Sequence, residues 1–102
     1  MSTYTCVYRW ITGGNVTNAI QAGAAASVAV PSELTDPATF NLTLVSDVVV
    51  PGLNGTRTIV FDGNPSDPVP DPFMGAVLQD YMSGAMANAM ASPCKMDPVV
   101  IT

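Results

Sequence analysis

The dipeptide Asn54-Gly55 sits between two β-branched runs, and no other feature of this 102-residue chain constrains its fold as strongly. Asn-Gly suits the tight turn whose backbone twist matches two antiparallel strands. Before it, Thr39 to Val50 reads as a strand: Phe40, Leu42 and Leu44 share one face, and Val48-Val49-Val50 form a second apolar run. The change of facing predicts a bulge or break near Ser46-Asp47. After it, Thr56 to Asp62 sets Thr58 and Val60 against Arg57, Ile59 and Phe61. This period-two alternation marks a half-buried strand. An antiparallel hairpin is therefore expected at the centre of the fold.

A further strand is expected at Thr3 to Ile11, where Tyr4, Cys6, Tyr8 and Trp10 point one way and Thr3, Thr5, Val7, Arg9 and Ile11 the other. Thr12-Gly13-Gly14-Asn15 ends it with turn chemistry. Tyr4, Tyr8 and Trp10 form one large aromatic face, which serves either as core or as an anchor for a partner. Val16 to Val30 has the composition of a short helix or loop, with Thr17 as a cap, followed by a strand that ends at Pro31. Pro31 to Ala38 reads as a surface loop.

Three prolines within Gly63 to Asp71 bar both a helix and a central strand, so residues 63–71 form an extended connector. A helix over residues 72–91 follows, with Asp71 as its N-cap and Pro72 in its first turn. Its apolar stripe includes Met74, Leu78, Met82, Met86 and Met90, and methionine adapts to irregular surfaces. This stripe packs either on the chain's own sheet or on a neighbour. The apolar, β-branched tail at residues 95–102 is expected to add an edge strand, within the subunit or to another one. Together these elements predict a single domain over residues 1–102 of mainly β (α+β) class. Its expected form is a small antiparallel β-sandwich or barrel with one C-terminal α-helix.

Charge narrows the function. Eight acidic and three basic residues give a net charge of −5, and histidine is absent. Three dispersed cations do not make a nucleic-acid footprint. The usual imidazole base and metal ligand are missing, and Cys6 and Cys94 have neither zinc-site spacing nor a neighbouring base. They are read as buried free thiols, with a staple between the two chain ends as the rival. Asp62, Asp67 and Asp71 do not follow a calcium-loop pattern. No dinucleotide, Walker or serine-hydrolase motif occurs. The expectation is therefore no catalytic, metal or cofactor-binding residues and no enzyme activity.

No Sec-type leader and no membrane span are expected, which points to a cytoplasmic or virion location. The Asn-x-Thr triplets at Asn15, Asn41 and Asn54 then read as chance in a Thr-rich chain. Charged residues make up only 11% of the chain, well below the roughly 25% of an average domain. A surface so poor in charge suits a chain whose neighbours cover part of it. The function expected is a structural subunit of a larger assembly, most plausibly a virion component such as a capsid decoration, cement or minor tail protein. Its expected partners are copies of itself, other structural proteins of that assembly, or both. The interface candidates are Tyr4, Tyr8, Trp10, Met74, Leu78, Met82, Met86 and Met90. Two alternatives come from other classes: a stand-alone protein-binding adaptor, and an enzyme or ligand binder with a cryptic site.

Overall fold

The computed structural model describes residues 2–10, 23, 27–50, 55–63, 70–89 and 94–102, without the side chains of 86–89, 94 and 95. Five strands form one antiparallel sheet: β1 (Thr3–Trp10), β2 (Thr43–Val50), β3 (Thr56–Asp62), β4 (Cys94–Met96) and β5 (Val100–Ile101). The helix α1 (Asp71–Ala89) packs against the sheet. The class is mainly β (α+β), but the sheet is not closed into a barrel. The described strands all belong to one sheet, and the opposing layer is α1 rather than the second sheet of a sandwich.

The strand order is β2-β3-β1, with β4 and β5 side by side along the far edge of β1. β1 is central because it carries the densest apolar face. Tyr4, Cys6, Tyr8 and Trp10 are all buried and meet Ile59 and Phe61 of β3 and Met74, Leu78 and Met82 of α1. An aromatic side chain withdraws roughly 150–250 Å² from water. At about 25 cal/mol per Å² that is a gross gain of about 4–6 kcal/mol for each of Tyr8 and Trp10. Among the described residues the buried apolar side chains of β1 and β3 lie on one sheet face only.

The hairpin forms with Val50 opposite Thr56 and Leu44 opposite Phe61. Its register shifts between Leu44 and Ser46, so Val45 is the bulged residue, just upstream of the expected Ser46-Asp47. The extra residue brings Leu44 onto the same face as Asp47 and Val49. β2 begins later than the sequence suggests. Phe40 and Leu42 precede it in an irregular segment where Asn41 has φ 56°. Asn tolerates that left-handed conformation, and it lets the Leu42 amide donate to the Leu34 carbonyl at 2.9 Å. Leu34 closes a 3-10 turn (Ser32–Leu34) and is fully buried, so the expected surface loop carries one core residue. The strand expected at Ser27 to Val30 is an irregular segment in which Val28 and Val30 pack on the core. The rest of the Val16 to Val30 expectation, the turn at residues 51–54 and most of the connector lie outside the described residues.

Gly55 is required at the end of the turn. A methyl group there would overlap the Val50 carbonyl oxygen and stand 2.6 Å from Trp10 Nε1. The Trp10 amide also donates to the Gly55 carbonyl at 3.2 Å. Gly55→Ala is expected to destabilise by about 1–3 kcal/mol, as overpacking in a tight core does. Chemical denaturation against the wild type checks this, and equal midpoints would refute it.

The helix starts one residue earlier than its sequence signature suggests. The Met74 amide donates to the Pro70 carbonyl at 3.0 Å, so Pro70 is the residue before the helix and Asp71 lies in the first turn. Asp71 accepts from the Ser2 hydroxyl at 2.5 Å and from the Tyr4 hydroxyl at 2.9 Å. These bonds favour the ionised carboxylate and hold the Asp71 carboxyl below its ordinary value. A depressed carboxyl pKa contributes stability above the ordinary value of 3.8 that is lost as pH falls through the folded value. Tyr4→Phe is expected to move the Asp71 carboxyl back towards that value in a carbon-detected NMR titration. An unmoved titration would show that the Tyr4 bond has no effect on it.

The C-terminal tail stays within the subunit. Tyr8 pairs with Met96, Thr5 pairs with Val100, and Thr3 and Thr102 exchange backbone bonds at 3.0 and 2.9 Å. The Gln79 side chain of α1 accepts from the Val99 amide at 3.0 Å, tying the tail to the helix.

Candidate functional site

The exposed apolar surface centres on β2. Leu44, Val45, Val48, Val49 and Val50 are all exposed, and Val48 and Val50 each retain 55% of their accessible surface. β2 pairs only with β3, so among the described residues its other edge meets no strand. Ser46, Val48 and Val50 line the outer sheet face, opposite Val60, Thr58 and Thr56. Leu44, Asp47 and Val49 line the helix-side face, where Leu44 and Val49 remain exposed.

One ion pair organises this edge. Arg57 of β3 is 5% exposed and forks onto Asp47, with Nε to Oδ1 at 2.9 Å and Nη2 to Oδ2 at 2.7 Å. Its Nη1 donates to the Val28 carbonyl at 2.7 Å. Hydrogen bonding to Asp47 raises the guanidinium pKa against the opposing effect of burial. The bidentate fork uses the planar donors that only arginine offers. It fixes β2 to β3, pins the 27–30 segment and cancels the charge of Asp47.

The interface candidates read from the sequence lie elsewhere. Tyr4, Tyr8, Trp10, Met74, Leu78 and Met82 are buried in the chain's own core, because β1 and α1 face each other. As placed, they offer no surface to a partner. The Met86 side chain and Met90 lie outside the described residues. The apolar surface of β2 was legible in the Val48-Val49-Val50 run, but the sequence did not show that this strand lies at an edge.

Cys6 is a free thiol, and burial pushes its pKa up to about 11, which disfavours the reactive thiolate. Cys94 pairs in register with Trp10, four residues along β1 from Cys6. At about 3.3 Å per residue that separation is roughly 13 Å, well beyond disulfide reach. A shallow cleft of about 500 Å³ is lined by Pro31, Glu33, Asp80, Tyr81, Gly84 and Ala85. Among the described residues no group of three or more His, Cys, Asp or Glu side chains is placed to hold a metal ion. No described helix is long and apolar enough to cross a membrane. Comparison with protein-family models, with curated proteins and with solved structures finds no match to this chain.

Proposed function

We propose that this chain is a structural subunit of a larger assembly, with copies of itself and other structural proteins as its partners. The observation that carries the reading is the run of exposed apolar side chains Leu44, Val45, Val48, Val49 and Val50 along one strand of a chain with only 11% charged residues. Contiguous exposed apolar patches on small domains mark interaction sites. The setting proposed is a virion, with a capsid decoration, cement or minor tail protein as the role. That step rests on the kind of molecule this is: small, weakly charged and rigidly cored, with a large uncovered apolar strand.

Sedimentation velocity over a concentration series tests the reading. Association that grows with concentration is expected. A single monomeric species throughout, in the absence of other proteins, would overturn self-assembly. Co-purification with particles from the native source is the matching test for the virion setting, and exclusion from purified particles would overturn it.

A further inference from the structure

We propose that β2 is the self-association edge: two copies pair β2 to β2 antiparallel around a two-fold axis, joining their sheets into one. This deepens the assembly reading above and rests on it. The two sheet edges differ in how they are protected. The β4/β5 edge consists of two short strands interrupted by Asp97-Pro98-Val99. There Arg9 and Asp97 form an exposed ion pair at 2.9 Å, and Pro98 has no amide to donate. Short strands, charges and proline are the devices that block edge-to-edge pairing. β2 is protected less: it is eight residues long, lacks proline and lysine, and is β-branched at four of its last six positions. Beyond the bulge at Val45 the run Ser46–Val50 is regular, with Asp47 as its one charge. Among the described residues its outer row of backbone donors and acceptors meets no strand, and such a row is complementary to another strand.

Charge selects a second copy as that strand. The single charged residue of β2, Asp47, is already neutralised by Arg57 of the same chain. The edge is therefore locally neutral although the chain carries −5, and it offers no countercharge to a basic or an acidic peptide. An uncharged, β-branched strand fits it, and β2 itself is one.

Face matching narrows the register. Directly opposed residues must point to the same sheet face, so the two-fold axis passes through a residue and not between two. An axis at Asp47 would oppose two carboxylates, which is unfavourable. An axis at Val48 sets that residue against its own copy, Asp47 against the partner's Val49, and Ser46 against the partner's Val50. One strand edge is smaller than the ~1,200–2,000 Å² of standard interfaces, so this contact is reversible and strengthened by others in an assembly.

Three variants test it at concentrations where the wild type associates. Val48→Cys under mild oxidation is expected to give a disulfide-linked dimer, since opposed positions hold Cα atoms ~4.5–5.5 Å apart, within disulfide range. Thr43→Cys has no opposing strand residue in this register and is expected to stay monomeric, with the wild type reporting any background from Cys6 and Cys94. Separately, Val48→Lys plus Val50→Lys is expected to weaken association at least tenfold while circular dichroism and cooperative melting are unchanged. If the wild type associates but Val48→Cys does not cross-link, or Thr43→Cys cross-links equally well, the β2 pairing is overturned and the assembly reading stands. A wild type that never associates overturns both. If the double-lysine chain does not fold, the cysteine pair alone decides.

Discussion

Met82→Asp is expected to abolish the fold rather than merely weaken association. Met82 is 1% exposed and packs beneath α1 among Leu78, Met74 and the β1 aromatics. The substitution removes a buried thioether side chain, a loss of about 2–5 kcal/mol even as alanine. It also buries a carboxylate in the apolar core, which costs several kcal/mol more or forces protonation. Domains of this size have about 5–15 kcal/mol of net stability, so the sum removes most or all of it. Loss of the cooperative melting transition is the expected result. A folded Met82→Asp chain that only fails to associate would show that the methionine stripe faces a partner.

Asp47→Ala is expected to cost about 3 kcal/mol, the lower end for breaking a buried pair, because Asp47 keeps contact with water. The loss falls on Arg57, whose side chain is 6% exposed and would keep its charge without the carboxylate that forks onto it. Replacing both members, as Asp47→Ala with Arg57→Met, removes the stranded charge and is expected to recover part of the loss. Denaturant midpoints of the single and double variants measure the coupling between them. If Asp47→Ala matches the wild type within error, the fork does not hold β2 to β3. The variant also offers a control for the assembly edge, because it alters charge in β2 while leaving Val48 and Val50 in place.

Much of the architecture could be read without coordinates. Period-two alternation in Thr3–Trp10 and Thr56–Asp62 places Tyr8, Trp10, Ile59 and Phe61 on buried faces. The break in facing near Ser46 corresponds to the Val45 bulge. Three- and four-residue spacing around Met74, Leu78 and Met82 corresponds to α1. The candidate site was less legible. Aromatic and methionine side chains suit a protein interface and a protein core equally well, and composition does not separate the two. The alternation puts Arg57 on the face of Ile59 and Phe61, but Asp47 becomes its partner only when the hairpin register is set.

The sequence by itself determined β1, β3, α1 and most of β2, and which face of β1, β3 and α1 is apolar. Those properties follow from local backbone preferences and from the period of neighbouring residues. Tertiary structure decided which apolar faces meet. The tail could have paired with a neighbour, yet β4 and β5 occupy the edge of β1, and among the described residues that leaves β2 as the long edge strand at the opposite side. Strand order sets this outcome: Val48 and Val50 would be half-covered cross-strand residues in the middle of the sheet, and at its edge they stand exposed.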